Sequence, residues 1–268
     1  MTKFSTINET TYAYSVEGEG EPLVLLHGFT GRKETWHPII KKLNKSYQVI
    51  TLDLPGHGQT VAKNKVTMEQ FVQDFYELMK QLTQEPFHLL GYSLGGRSAL
   101  TYALHYPKTV RTLTLESASP GLKTESERLK RRRQDRQLVN MMLEQGLNHF
   151  VDYWERIPLF STQRRLHEEI KLRQRNERLS QTAYGLSQSL LGMGTGAQPS
   201  WWEHLTKITF PVLLIIGEED KKFVRINKEM HKRIKTSELT VVEEAGHAVH
   251  LEQIDEFLSV VKDFIDKN

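Results

Sequence analysis

A serine, an acid and a histidine each directly follow an apolar run of this sequence, in an order that could support nucleophilic or base chemistry. Ser93 is the centre of residues 91–95, Gly-Tyr-Ser-Leu-Gly, a G-x-S-x-G motif between an apolar run and a helical pattern. Asp220 and His247 follow two later apolar runs. The sequence therefore predicts a triad in which His247 takes the Ser93 proton and Asp220 orients and stabilises the imidazole.

Two neighbouring acids compete with Asp220 for this role. Glu218 and Glu219 precede it in the same turn, but they lie closer to the end of the predicted strand. We therefore assign the acid to Asp220 and leave the other two as alternatives.

The loop after the first strongly apolar run could supply electrophilic help. His27 and Gly28 precede Phe29 there, and Leu94 follows the serine at the start of the next helix. The backbone N–H groups of Phe29 and Leu94 would form a two-donor oxyanion hole. We expect His27 to support this loop rather than react, and His57, His88 and His250 to be structural or exposed.

Composition excludes several other chemistries. The chain has 268 residues and no cysteine, which rules out disulfides, thiolate metal sites and a cysteine nucleophile. No apolar run approaches the roughly 18 to 20 residues that span a bilayer, and the first residues do not resemble a signal peptide. We expect a cytoplasmic protein without membrane insertion, metal or cofactor, and the sequence does not indicate its oligomeric state.

Elements that alternate along the chain must position these residues. Short apolar runs bounded by glycine or polar residues predict buried parallel strands, and amphipathic stretches such as 68–82 predict helices between them. Residues 118–205 interrupt this alternation with helical patterns alone. The sequence predicts an α/β fold with a mostly parallel, doubly wound sheet, formed by residues 1–117 and 206–268, and an all-helical cap over 118–205 inserted before the late strands.

Charge is unevenly distributed between these parts. The formal net charge is +3, yet residues 121–200 carry 14 Lys and Arg against 9 Asp and Glu, an excess of five positive charges. Such a segment indicates an anionic partner. A nucleic acid is not predicted, because the segment lacks interleaved aromatic residues and any known binding motif.

The motifs resemble a known family along nearly the whole chain. The order of serine, acid and histidine is similar to that of the α/β-hydrolase superfamily. The elbow with Arg97 four residues after the serine, the arginine-rich stretch 127–136 and the motif Gly-His-Ala-Val-His at 246–250 resemble 2-succinyl-6-hydroxy-2,4-cyclohexadiene-1-carboxylate (SHCHC) synthase of menaquinone biosynthesis.

This resemblance implies a lyase rather than a hydrolase. The family's substrate carries three carboxylates, the triad removes a ring proton, and pyruvate leaves. By likeness to the family, the substrate-binding residues would be Tyr92, Arg97, Arg131, Trp154 and Arg173. Arg175 is an alternative to Arg173, because the preceding loop is shorter here, and Trp154 could instead be ordinary core packing. Arginine suits the role, because it binds carboxylates through two parallel hydrogen bonds.

Two other classes of function share part of this pattern. A carboxylesterase or a C–C bond hydrolase would use the same triad through an acyl-enzyme, with a more apolar pocket. A non-enzymatic receptor or nucleic-acid binder would leave the complete triad unexplained.

Overall fold

One twisted sheet of nine strands organises the chain. The computed structural model describes residues 1–268. The strands are β1 (Lys3–Ile7), β2 (Thr10–Glu17), β3 (Glu21–Leu26), β4 (Tyr47–Leu52), β5 (Val61–Ala62), β6 (Phe87–Tyr92), β7 (Val110–Glu116), β8 (Val212–Gly217) and β9 (Ser237–Val242). Their order in the sheet is β1-β2-β4-β3-β6-β7-β8-β9, with the short β5 paired to β2.

The six longer strands from β3 onward are parallel to their neighbours, as the continuous apolar runs predict. Their residues are buried on both sides of the sheet in β3, β6 and β8, which explains why those runs do not alternate with polar residues. The strands β1 and β2 pair antiparallel at one edge. The sequence analysis did not predict β1 or β2, because polar residues interrupt any apolar run in both strands.

Ten α-helices connect or follow the strands. They are α1 (His37–Leu43), α2 (Met68–Leu82), α3 (Leu94–His105), α4 (Glu125–Asn140), α5 (Gly146–Trp154), α6 (Glu168–Leu179), α7 (Ala183–Met193), α8 (Lys221–Arg233), α9 (Val249–Glu252) and α10 (Ile254–Lys267). Shorter 3₁₀ segments include Pro158–Arg165 and Trp202–Lys207, and a π-helical turn over Met141–Gln145 follows α4.

The helix α2 shows how the sequence fixes an element. Thr67 caps it, with its side chain accepting a hydrogen bond from the Gln70 amide while the Gln70 side chain accepts one from the Thr67 amide. Phe71, Phe75 and Leu78 lie on the buried face at helical spacing. The predicted bounds of 68–82 are therefore confirmed.

Helices cover both faces of the sheet. One apolar cluster packs residues of α2, α3 and α8, such as Phe75, Leu100 and Met230, against the strands. A second cluster packs α1 and α10 on the opposite face, through residues such as Ile39 and Phe264. The fold is thus a doubly wound α/β sheet, as predicted. No helix in the chain is long and apolar enough to cross a membrane.

Residues 118–205, between β7 and β8, contain helices and no strand. The helices α4, α5 and α7 share a small apolar cluster that includes Val139, Met142, Phe150 and Leu186. Phe29, from the loop after β3, packs against this cluster. The helical residues therefore lie against the end of the sheet from which the loops after β3 and β6 emerge.

Candidate active site

Ser93 occupies a sharp turn between β6 and α3. Its backbone has φ 51° and ψ −104°, a conformation that costs of order 1 to 3 kcal/mol in a non-glycine residue. The turn is possible because its neighbours are glycines: a Cβ on Gly91 would lie 2.3 Å from the Gly95 carbonyl oxygen, and one on Gly95 would lie 2.1 Å from the Leu26 carbonyl oxygen. The G-x-S-x-G motif therefore places the hydroxyl in a cavity at the carboxyl edge of the sheet.

Ser93, His247 and Asp220 form one hydrogen-bonded chain. The His247 Nε2 lies 3.0 Å from the Ser93 Oγ, and the His247 Nδ1 lies 2.6 Å from the Asp220 Oδ2. The imidazole is almost completely buried. The acids that competed with Asp220 point elsewhere, because Glu218 pairs with Lys221 and Glu219 pairs with Arg165. The geometry suits a serine held ready for deprotonation by an imidazole that Asp220 orients.

The loop after β3 brings a backbone donor to the same cavity. Phe29 and Leu94 both line the cavity beside Ser93. Leu94 is the first residue of α3, so its N–H has no acceptor within the helix and lies at the positive end of the helix dipole. The Phe29 N–H donates no hydrogen bond within the protein. Both N–H groups are therefore free to donate, and an oxyanion hole formed by Phe29 and Leu94 stays a prediction.

The cavity in front of Ser93 has a volume of about 480 Å³, which is the size of a small-molecule site. Part of the cavity wall is aromatic and is formed by Phe29, Tyr92, Trp154 and Phe160. Burial raises the pKa of the Tyr92 phenol well above its usual value, so this hydroxyl stays neutral. Cationic side chains form part of the remaining wall: Arg97, Arg131 and Lys222.

Arg97 is held in the cavity wall by uncharged acceptors. Its Nη1 donates hydrogen bonds to the Met193 carbonyl oxygen at 2.8 Å and to the Gln198 Oε1. It forms no ion pair with an acid, although only 9% of the residue is exposed. Burial, with a smaller contribution from Arg131, lowers the pKa of the Arg97 guanidinium. The nearby Asp135, which pairs with Arg131, partly opposes this effect without contacting Arg97. An anion bound in the cavity would give Arg97 the direct partner that it lacks.

Arg131 approaches the cavity from α4. Its Nε donates to the Asp135 Oδ1 at 2.7 Å, one helical turn away. Burial raises the pKa of Asp135, against the opposing effect of Arg131. Arg132 and Arg133 do not line the cavity, and Arg132 instead bonds the Gly196 carbonyl oxygen. Of the three consecutive arginines, only Arg131 therefore faces the site, as helical geometry requires of residues about 100° apart.

Comparison with known proteins agrees with this architecture. The family model for the α/β hydrolase fold matches residues 21–253. The chain belongs to the α/β-hydrolase family. Its sequence is 46% identical over 260 residues to the putative 2-succinyl-6-hydroxy-2,4-cyclohexadiene-1-carboxylate synthase of Bacillus subtilis strain 168, with 94% of each chain covered.

Solved structures also superpose closely on this chain. MenH from S. aureus superposes with a TM-score of 0.91 at 36% identity, covering 96% of this chain and 98% of that one. A thermophilic esterase from Thermogutta terrifontis superposes with a TM-score of 0.87 at 25% identity, covering 100% of this chain and 98% of that one. The predicted fold and the predicted resemblance to SHCHC synthase are confirmed.

Arg173 and its alternative Arg175 lie outside the cavity that the other predicted binding residues line. Arg173 is exposed and lines a smaller cleft behind Phe29 and Tyr92, outside the cavity in front of Ser93. Arg175, its alternative, is tied to Asp152 and Glu155 on the surface. In this structure α6 therefore places neither arginine in the cavity that Arg97 and Arg131 line, and a substrate-binding role for Arg173 stays a prediction.

Trp154 lies in the cavity wall but is also packed among aromatic rings. Its ring stacks on Phe150 at 5.5 Å and meets Phe29 edge to face at 5.5 Å and Phe160 at 5.8 Å. The indole N–H is buried without an acceptor. Trp154 therefore forms part of the cavity wall and is also packed against the apolar cluster of the helices. The sequence analysis had left substrate contact and core packing as alternatives for this residue.

The sequence analysis missed several residues of the site. Gln198, which accepts from Arg97, comes from the loop after α7, and nothing in its local pattern signals this long-range contact. Lys222 lines the cavity from the first turn of α8, where a lysine next to the positive end of a helix dipole was an available signal. Glu116 and His250 form a buried pair at 2.8 Å beneath Tyr92, so His250 is structural as expected.

Two buried histidines hold the loop that carries Phe29. The His27 Nε2 accepts from the Leu54 amide at 3.0 Å, and the His57 Nε2 accepts from the Thr30 amide at 3.2 Å. Burial is the largest cause that lowers the pKa of His27 to about 4 and that of His57 to about 3. These roles require neutral imidazoles, because a protonated Nε2 cannot accept a hydrogen bond.

We predict that this loop makes folding acid-sensitive. Both pKa values are lower in the folded than in the unfolded chain, so below pH 6.5 the unfolded chain binds more protons. The stabilising contribution is complete above pH 6.5 and is lost as the pH falls toward 4. The free energy of unfolding of the wild type should therefore be lower at pH 5.5 than at pH 7.5. His57→Gln should make this difference about 1.4 kcal/mol smaller.

Urea unfolding of the wild type and of His57→Gln at the two pH values measures this difference. The exposed His37 provides a matched control, because His37→Gln removes a histidine without touching the loop. An unchanged pH dependence in His57→Gln would contradict the prediction.

Proposed function

We propose that this protein is an SHCHC synthase. It would eliminate pyruvate from 2-succinyl-5-enolpyruvyl-6-hydroxy-3-cyclohexene-1-carboxylate, with Ser93, His247 and Asp220 acting together as the base. One observation carries the proposal: the hydrogen-bonded serine opens into a cavity whose wall holds Arg97, a buried cation without an acidic partner. The likeness to the SHCHC synthase of B. subtilis over nearly the whole chain supports it.

The reaction requires a base and a place for developing negative charge. His247 takes the proton of Ser93, and the serine oxygen then takes the proton from the ring carbon that bears the succinyl group. The electron pair of that C–H bond forms a ring double bond, the existing double bond shifts, and the C–O bond to the enolpyruvyl group breaks. The group leaves as the enolate of pyruvate, the His247 imidazolium gives it the proton taken from Ser93, and it tautomerises to pyruvate. Ser93 keeps the ring proton, so the triad is restored and the ring is left as the 2,4-diene.

The amides of Phe29 and Leu94 would stabilise this step. Proton removal next to the succinyl ketone places negative charge on the ketone oxygen, and two N–H donors that face the cavity would stabilise such an oxygen. The backbone supplies the electrophile, so we expect no metal or cofactor. Arg97 and Arg131 would hold substrate carboxylates, with Tyr92 and Trp154 against the ring.

The arrangement of the chain suits a site covered by helices. We propose that residues 118–205 act as a helical cap on a core formed by residues 1–117 and 206–268. Arg131 and Trp154 reach the cavity from this cap, whereas Ser93 and Arg97 reach it from the core. The cytoplasmic location, the absence of a nucleic-acid partner and the position of Arg173 during turnover stay predictions.

A carboxylesterase or C–C bond hydrolase is the second candidate function. The structural likeness to the T. terrifontis esterase favours it, because the same serine, histidine and acid can form an acyl-enzyme. The two functions differ in the bond that is broken. An esterase would leave the enolpyruvyl ether intact and would bind neutral esters without help from Arg97.

Pyruvate release from the enolpyruvyl substrate tests the proposal. The wild-type protein should release one pyruvate for each ring product, with the absorbance of the conjugated diene appearing at the same rate. The same preparation is then given p-nitrophenyl acetate. Rapid ester hydrolysis without pyruvate release would contradict the proposal and favour the esterase.

A further inference from the structure

Lys222 is a cation in the cavity wall that the sequence resemblance did not assign. It is the second residue of α8 and lines the cavity together with Arg97 and Arg131. Its neighbour Lys221 pairs with Glu218 at 3.4 Å, pointing away from the cavity. Lys222 forms no ion pair, and its ammonium lies 5.4 Å from the ring of Phe223.

The position of Lys222 is unfavourable for the helix itself. The first turn of α8 contains no acidic residue and begins with two lysines. Cations at a helix N-terminus oppose the helix dipole, typically by about 0.3 to 1 kcal/mol. Asp220 caps the helix by accepting from the Phe223 amide at 3.2 Å, but its other oxygen is occupied by His247. The helix itself therefore gives no reason for a cation at Lys222, and of the two lysines only Lys222 lines the cavity.

The surroundings of Lys222 are also short of negative charge. Partial burial lowers the pKa of Lys222, the nearby Arg131 lowers it further, and Asp220 opposes both effects. Of the residues that line this cavity, Asp220 is the only acid, and it is bonded to His247. An anion in the cavity would therefore relieve the mutual repulsion of Lys222, Arg131 and Arg97.

We propose that Lys222 binds one carboxylate of the anionic substrate, as the third cation beside Arg97 and Arg131. This inference rests on the proposed function, because it assumes a substrate with three carboxylates. It gives the site three cations from three different elements, α3, α4 and α8, without Arg173. It also makes Lys222 a determinant of specificity, since a monocarboxylate or a neutral ester needs no third cation.

Binding of tricarballylate, a plain tricarboxylate, tests the inference without turnover. Calorimetric titration should show that Lys222→Met binds it on the order of tenfold more weakly than the wild type, as expected for one charged hydrogen bond. Lys222→Arg should stay within about threefold of the wild type. Lys221→Met is the matched control, and it should bind as the wild type does, because Lys221 faces Glu218.

Stability and kinetics complete the test. Lys222→Met should melt at the same temperature as the wild type or higher, because a cation has left the helix N-terminus. With the enolpyruvyl substrate, its KM should rise about tenfold while kcat changes less than threefold. Unweakened tricarballylate binding in Lys222→Met, an equal loss in Lys221→Met, or no binding by the wild type would each overturn the inference. Absence of pyruvate release by the wild type, with the tricarballylate differences intact, would instead refute the proposed reaction.

Discussion

Ser93→Ala should lower the kcat for pyruvate release by at least about a thousandfold. The reaction begins with removal of a ring proton, and the serine oxygen, 3.0 Å from the His247 Nε2, is the group that would receive it. General base catalysis alone contributes roughly 10² to 10⁴ in rate. The loss should appear in kcat with little change in KM, because the cations that bind the carboxylates remain in place. Coupled detection of pyruvate under single-turnover and steady-state conditions measures both.

Stability measurements separate this effect from unfolding. Alanine at position 93 keeps the same strained φ of 51°, so Ser93→Ala should unfold at nearly the wild-type temperature. Ser93→Gly should be more stable, since glycine adopts positive φ without a steric cost. If Ser93→Ala keeps more than a tenth of wild-type turnover, the serine is not the base, and another group such as His247 must remove the ring proton directly.

Much of this site could be predicted because its residues are fixed by local rules. The elbow at Ser93 requires glycine at 91 and 95, and a strand before and a helix after it, all of which are visible in the sequence. Asp220 and His247 follow apolar strands, so their position at the carboxyl edge of the sheet is a consequence of parallel topology. The bounds of α2 were predictable for the same reason, since Thr67 and Gln70 form a capping box.

The residues that were missed or misplaced depend on packing between distant elements. Arg173 and Arg131 both lie on helices of residues 118–205, yet only the orientation of each helix decides which arginine faces Ser93. Gln198 reaches Arg97 across 101 positions of sequence. A single hydrogen bond between distant residues produces no repeating pattern of apolar residues in the sequence. It therefore could not be predicted from the pattern that identifies helices and strands.

The second large effect is expected at Arg97. Arg97→Met should lower kcat/KM for the enolpyruvyl substrate by on the order of a hundredfold, because a charged, bidentate contact between a buried guanidinium and a carboxylate is lost. Hydrolysis of p-nitrophenyl acetate, if the protein has any, should change by less than about threefold, since that ester carries no carboxylate. Paired steady-state kinetics on the two substrates, with one preparation of each variant, make the comparison.

Two further variants show whether the loss comes from the charge or from the fold. Arg97→Lys keeps a cation but cannot form the bidentate contact, so its loss should be intermediate. Arg111→Met removes an exposed arginine that pairs with Glu21, far from the cavity, and should leave both activities unchanged.

The stability of Arg97→Met decides how its kinetic loss is to be read. Methionine removes a buried charge that no acid contacts directly, but it also leaves the Met193 carbonyl and the Gln198 Oε1 without their donor. These effects oppose each other, so the melting temperature should move little while tricarboxylate turnover falls. Equal losses on the ester and on the tricarboxylate would mean that Arg97 supports the shape of the cavity rather than the charge of its ligand, and the lyase proposal would then lose its main structural argument.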